Sequence, residues 1–307
     1  MSGKAKGKSK AKQTGISSAV IFAVIALVAI VRFFGDYFDP AEEQTRQQPA
    51  VLADGNCAVH FINVGQADSI LIISPSGESM LIDAGEKATS KELIKYIQEQ
   101  GISKLDIVVA THPHSDHIGG MADIIKAFEI GEFIAPKATH TTVTFENMLD
   151  ALLEKNLQVT TPVPGAVFSL GENGPGFTVL GPIGDDFENL NNASVAFRMV
   201  YGETSFVFTG DAEASSEKQM LDSGRVLPSD VLKLGHHGSS TSTSQAFLDA
   251  VAPKIAVISC GVDNSYGHPH KETLEKLKKA QITIYRTDLD STIVLVSDGK
   301  AISKKEN

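Results

Sequence analysis

Along most of the chain, apolar positions fall into short runs bounded by turn residues. These alternate with stretches in which apolar residues recur every three or four places. Residues 58–63, 69–74 and 79–83 read as three successive strands, separated by Gly65 and by the Pro75-Ser76-Gly77 turn. The period then lengthens: residues 90–100 place Leu93, Ile94 and Ile97 on one face of a helix that Gly101 ends. A strand at 105–110 runs into a polar loop, and a helix at 120–128 leaves it. Further strands are predicted at 132–135, 177–180, 195–201, 205–209, 231–234, 255–259, 282–285 and 293–296, with helices at 144–155, 214–223, 244–250 and 271–280 between several of them. No internal repeat is evident. The pattern predicts two sheets flanked by helices, an α/β architecture.

The N-terminal stretch follows another rule. Residues 16–34 read ISSAVIFAVIALVAIVRFF, about the length needed to cross a hydrocarbon core, with Arg32 near the far end. This predicts one N-terminal transmembrane helix. Lys4, Lys6, Lys8, Lys10 and Lys12 give residues 1–15 a basic character that favours a cytoplasmic N-terminus, so everything after Phe34 is expected on the extracellular side of the cell membrane. A cleaved signal peptide is the competing reading, and would leave a secreted protein. Against it, the apolar stretch is long for a signal segment and no convincing small-x-small site follows. Residues 35–55, rich in Asp, Glu, Gln and Pro, read as a solvated linker, and a hydrolase domain is expected over 56–302.

Composition narrows the function. At 307 residues, 42% apolar and 21% charged, the chain is ordinary for a globular protein. Its net charge is −10, and setting aside the five N-terminal lysines leaves about −15 on the remainder. An acidic body argues against a broad electrostatic footprint for nucleic acid, although divalent ions would make a cleft locally positive. With no Trp and five Tyr, the sequence offers no obvious stacking platform for single strands. Cys57 and Cys260 are the two cysteines, either one disulfide or two unrelated buried thiols.

The densest chemistry is Thr111-His112-Pro113-His114-Ser115-Asp116-His117-Ile118-Gly119-Gly120, directly after the apolar run Ile107-Val108-Val109-Ala110. Imidazole nitrogen and carboxylate oxygen suit zinc, manganese or iron, and four such ligands in one short loop can serve two adjacent ions. A polar surface loop that happens to be rich in His is the bland alternative, and a strand leading into this spacing argues against it. No Walker-type nucleotide loop or Ser-His-Asp arrangement is present, so ATP-driven transport is not supported.

His112-x-His114-x-Asp116-His117 resembles the signature of the metallo-β-lactamase superfamily, which implies an αβ/βα sandwich with a binuclear site along one edge. The likeness extends to Phe61-Ile62-Asn63-Val64-Gly65-Gln66-Ala67-Asp68-Ser69, Leu81-Ile82-Asp83-Ala84-Gly85, Thr209-Gly210-Asp211, Leu232-Lys233-Leu234-Gly235-His236-His237-Gly238-Ser239 and Asn264-Ser265-Tyr266-Gly267-His268-Pro269. Together these resemble the hydrolase domain of the ComEC family of DNA-uptake proteins over about residues 56–300. The multi-pass channel region of that family is missing here, so the chain looks like a free-standing, singly anchored relative.

The resemblance implies two divalent metal ions, zinc or manganese. His112 and His114 would bind one, Asp116 and His117 the other, and Asp211 would bridge both. One imidazole of the His236–His237 pair would complete the second site and its neighbour would meet a substrate phosphate; which does which stays open. His140 is the candidate third imidazole for the first ion, with an exposed loop histidine the equal alternative. Asn192, in Asn191-Asn192-Ala193-Ser194, offers polar contacts instead. Asp83 is expected to orient ligands, and Asp68 to line the site or cap a turn. His268 is expected to contact the phosphate or protonate the leaving group, with Ser239 and Ser240 steadying the phosphate oxygens. His60 and His270 read as structural or surface residues.

The function implied is a membrane-anchored, extracellular, binuclear-metal-dependent phosphodiesterase, a nuclease with DNA as partner. One alternative is a phosphodiesterase acting on a wall polymer, such as phosphorylcholine-decorated teichoic acid. A DNA-binding or assembly module with an inactive site is the non-enzymatic alternative, and the intact ligand motifs weigh against it.

Overall fold

The computed structural model describes residues 55–306 apart from Asp186. The expected transmembrane helix at 16–34 and its flanking tail and linker lie outside the described residues, save the last position of the linker. Among the described residues no helix is long and apolar enough to cross a membrane.

Strands β1 (Cys57–Phe61), β2 (Ile70–Ile73) and β3 (Ser79–Ile82) form an antiparallel meander. The sheet continues in parallel through β4 (Lys104–Val109), β5 (Glu129–Ile134) and the short β6 (Val159–Thr160). The second sheet begins antiparallel with β7 (Val167–Ser169), β8 (Gly176–Gly181), β9 (Ala196–Tyr201) and β10 (Thr204–Phe208). It turns parallel through β11 (Val231–Lys233), β12 (Ile255–Ile258) and β13 (Thr283–Arg286). The chain then returns to the first sheet, where β14 (Ile293–Ser297) pairs antiparallel with β1 and β15 (Ile302–Lys304) closes that edge.

Both faces of most strands are buried, which is why they read as continuous apolar runs. Alternate side chains of β1, β2, β3, β4, β9 and β10, including Phe61, Ile72, Met80, Val109, Phe197, Phe206 and Phe208, fill the space between the sheets. A buried Phe of this kind contributes about 2–3 kcal/mol of transfer free energy. The opposite residues of the first sheet, such as Leu71, Leu81, Leu105 and Val108, pack on α1 (Ser90–Glu99), α2 (Ser115–Ile118), α3 (Met121–Ala127) and α4 (Val143–Glu154). Those of the second sheet, such as Val207, Leu232 and Ala256, pack with residues of α5 (Ala214–Asp222), α6 (Gln245–Val251) and α7 (Lys271–Lys279). The layers run helix, sheet, sheet, helix.

Local signals set the helix ends. The Thr142 hydroxyl accepts the Phe145 N–H at the start of α4, and the Ser244 hydroxyl accepts the Phe247 N–H at the start of α6. The helices expected at 90–100, 120–128, 144–155, 214–223, 244–250 and 271–280 all form within a residue or two of those bounds. Strands β6, β7 and β15 and the one-turn helix α8 (Thr287–Asp290) were not anticipated, and the loop at 111–119 contains the short α2. Cys57 and Cys260 are separate buried thiols rather than a disulfide. Burial pushes both up to about 12, with Asp288 adding to the effect at Cys260.

Candidate metal centre

Parallel strands β3, β4, β10, β11 and β12 all end toward one edge of the sandwich, and the loops leaving them carry the predicted site residues: Asp83, His112–His117, Asp211, His236–His237 and His268. The Asp116, His117, Asp211 and His237 ligand atoms all lie within 4.8 Å of one another. His117 Nε2 is 3.3 Å from Asp211 Oδ2, and His237 Nε2 is 3.1 Å from Asp116 Oδ2 and 3.7 Å from Asp211 Oδ2. His112 Nε2 lies 3.9 Å from the same Oδ2 and 3.0 Å from His114 Nδ1. The Asp211 carboxylate is therefore common to the imidazoles of His112, His117 and His237.

Most of these imidazoles are held by Nδ1, which frees Nε2 for the centre. His117 Nδ1 meets Asp83 Oδ2 at 2.7 Å, and His237 Nδ1 meets the Ser259 carbonyl at 3.0 Å. His112 Nδ1 lies near the hydroxyls of Thr111 (3.2 Å) and Ser194 (3.3 Å). Asp83 is fixed in turn, because the Thr111 N–H and hydroxyl donate to its two oxygens. Asp68 does not merely cap a turn: it is buried, accepts from the equally buried Lys233 ammonium at 2.8 Å, and lies 3.6 Å from His237 Nδ1.

Backbone strain accompanies this arrangement. Asp83, His236 and His237 all adopt positive φ, near +60°, +50° and +52°. Such conformations cost a non-glycine residue about 1–3 kcal/mol each and persist only where the surroundings impose them. The turn at 236–237 also aims the two adjacent imidazoles differently. His237 is buried within the carboxylate cluster, while His236 is partly exposed, its Nε2 3.8 Å from Asp211 Oδ2 and its Nδ1 3.3 Å from Glu213. Gly119 and Gly120 let α2 approach the loop after β3. A Cβ on Gly120 would lie 2.4 Å from the Ala84 carbonyl oxygen, and one on Gly119 2.5 Å from the Lys87 nitrogen.

The donor set fits metal. His117 Nε2 and Asp211 Oδ1 are buried without a hydrogen-bond partner, an arrangement that costs free energy unless a cation completes it. The two-imidazole, two-carboxylate cluster, with His112 and His114 beside it, suits zinc, manganese or iron. Burial alone would lower the His117 pKa, but Asp211, Asp83 and Asp116 hold it well above the ordinary imidazole range. Likewise burial opposes ionisation of Asp211, and the surrounding imidazoles, His117 foremost, hold it well below the ordinary carboxylate range.

A more open wall faces this cluster. The His268 ring lies 5.4 Å from His236 and 4.7 Å from His270, centroid to centroid. Gln66 anchors it: its Oε1 accepts the Gly261 N–H at 3.0 Å, which leaves its amide N–H₂ to face His268 Nδ1 at 3.4 Å. That assignment puts the ring proton of neutral His268 on Nε2. Burial and the adjacent His236, His237 and His270 lower its pKa to about 4.

The remaining expected residues are less central. The His140 ring stands edge-on to His114 at 6.0 Å, with Nδ1 3.0 Å from the Thr142 hydroxyl, and is outside the close cluster. Asn192 Oδ1 accepts the Glu213 N–H. Ser239 is buried, its hydroxyl 3.0 Å from that of Thr241, whereas Ser240 is exposed and its N–H donates to His270 Nδ1. His60 is structural, bonded to the Tyr96 hydroxyl. Sequence reasoning missed Thr111, Ser194, Lys233 and Glu213 as supports and placed His270 outside the site. A lysine inside the apolar run of β11 was the one visible signal among them.

With this fold and this cluster in place, the match of residues 62–262 to the metallo-beta-lactamase superfamily is decisive: the chain belongs to that family of metal-dependent hydrolases. Among individual proteins, it is 31% identical to ComE operon protein 3 of Bacillus subtilis (strain 168), over 80% of this chain and 33% of that protein. It is 30% identical to Recombination protein 2 of Haemophilus influenzae, over 77% of this chain and 28% of that protein. The chain thus spans about a third of the length of these two relatives. The metallo-beta-lactamase fold protein YhfI from Bacillus subtilis shares the fold, with a TM-score of 0.55 at 15% identity, covering 80% of this chain and all of that one.

Proposed function

We propose that this protein is a binuclear-metal-dependent phosphodiesterase that cleaves DNA, held at the outer face of the cell membrane by residues 16–34. The observation that carries the reading is the pair of unpartnered buried atoms, His117 Nε2 and Asp211 Oδ1, inside a converging set of imidazoles and carboxylates. His112 and His114 would hold one divalent cation, Asp116, His117 and His237 the other, with Asp211 between them. When bound, such cations supply Lewis acidity and an activated water at neutral pH.

The chain's own groups do the rest. Asp83 and the Ser259 carbonyl keep His117 and His237 in the tautomer that faces the centre. His236 and His268, on the open side, present ring N–H groups to the non-bridging oxygens of a phosphodiester, where charge builds in the transition state. Neutral His268, with its one proton on Nε2, is placed to donate a hydrogen bond to the departing oxygen as charge builds there, keeping the proton rather than transferring it. DNA as substrate rests on the likeness to the ComEC hydrolase domain and on a relative named for recombination. The anchor rests on the apolar run and the lysines before it.

The test is cleavage by the full chain, with manganese or zinc, of labelled single- and double-stranded DNA beside a chromogenic phosphodiester, with Asp116→Ala as control. Metal-dependent cutting of DNA, lost in the control, is the expected result. Turnover of the ester alone would move the substrate to a wall polymer, and turnover of neither would overturn the enzymatic reading.

A further inference from the structure

We infer that Tyr266 forms a stacking subsite for a nucleobase next to the scissile phosphate, so that the enzyme grips base-bearing single strands. The inference rests on the phosphodiesterase reading and names the feature that would select its substrate. The Tyr266 ring lies nearly parallel to the His268 ring, at 24° with centroids 5.7 Å apart, an offset stack. Tyr266 is nevertheless 67% exposed, so with one face against His268 its accessible surface is mainly the other face and the edge. His268 in turn is 5.4 Å from His236, whose Nε2 reaches toward Asp211. Two ring-to-ring steps therefore connect an exposed aromatic face to the centre.

The loop backbone on either side of that ring is pinned, as is the His268 ring it stacks on. Asn264 bridges it internally: its amide donates to the Gly261 and His268 carbonyls, and its Oδ1 accepts the His268 N–H. The Gly267 N–H closes the turn on the Asn264 carbonyl, and Gln66 ties Gly261 and His268 to the loop after β1. A large apolar ring held at the mouth of a polar site, with its free face in water, suits a flat π-system. Every base offers such a face, whereas a polyol-phosphate wall polymer offers none.

The chain has no tryptophan, so Tyr266→Trp introduces a single tryptophan at the subsite, excitable at wavelengths where the remaining tyrosines do not absorb. In the full-length protein, oligothymidylate is expected to quench its emission, and an abasic sugar-phosphate chain of equal length is not. In parallel, the ratio of kcat/KM on base-bearing over abasic strands should fall about tenfold or more in Tyr266→Ala and stay close to wild type in Tyr266→Phe. Equal quenching by both polymers, or an unchanged ratio in Tyr266→Ala, would overturn the subsite and leave the phosphodiesterase standing. Selective quenching in a protein that cleaves neither polymer would support the subsite and overturn the phosphodiesterase.

Discussion

The two walls of the cleft are made from the same residue type and do different things. On the buried wall, His112, His117 and His237 are shielded from solvent, and each Nδ1 has a carboxylate, hydroxyl or carbonyl against it. On the other wall, His236, His268 and His270 lean on one another and on the polar side chains of Gln66, Ser240 and Thr241. Burial and a fixed partner make an imidazole a metal ligand. A place at the rim, with polar partners rather than a carboxylate cluster around it, makes it a contact for substrate. The contrast also divides the His236–His237 pair, since one backbone turn sends His237 to the first wall and His236 to the second.

The sharpest way to break this division is Asp211→Ala, which removes the carboxylate common to both donor groups. Hydrolysis should fall at least about 10³-fold and bound metal should drop, with the circular dichroism spectrum preserved. Full activity in this variant would sink the binuclear assignment. Next in size is Asp83→Asn, which touches no substrate but loosens His117 and Thr111; metal affinity measured by chelator competition should weaken about 10- to 100-fold.

A third expectation concerns protons. His117 and His237 have raised pKa values, burial notwithstanding, because Asp211 and neighbouring carboxylates favour their charged forms. In metal-free protein that charge stabilises the fold below the unfolded pKa of about 6.5, and the contribution is lost as pH rises through the higher folded values. Metal must displace those protons, so its affinity should climb with pH across neutrality. Calorimetry in two buffers of different ionisation heat would show proton release; none at pH 7 would contradict the assignment. The smallest effect belongs to the open wall. Glu213 accepts from Asn191, Thr241 and Asn189 and lies 3.3 Å from His236 Nδ1, so Glu213→Gln should raise KM by roughly two- to fivefold while metal content stays constant.

Much of the buried wall can be read from the linear chain because four of its donors share one loop. His112, His114, Asp116 and His117 follow a strand so apolar that its end is unmistakable. Asp211 and the His pair follow equally apolar strands. What the chain hides is orientation. Which of His236 and His237 turns inward depends on consecutive left-handed residues that no spacing rule specifies. Glu213 and Lys233 act through partners far along the chain, Lys233 through Asp68 and Glu213 through Asn189, Asn191 and Thr241, so apart from the lysine standing in an apolar run nothing local marks their roles. The unpredicted β6, β7 and β15 are two or three residues long with half-exposed side chains, too short for a period to show.

The place of β14 has a consequence for manufacture. β1, the first strand of the described fold, lies between β2 and β14, with Cys57 opposite Ser297 and Phe61 opposite Ile293. A chain halted after Asp290 already contains every candidate metal ligand, yet it leaves β1 with a bare edge and the interior facing Phe61 without Ile293 and Leu295. Prematurely terminated translation products would thus carry the chemistry without the scaffold, and hydrolytic competence would depend on the ribosome having read through residue 297.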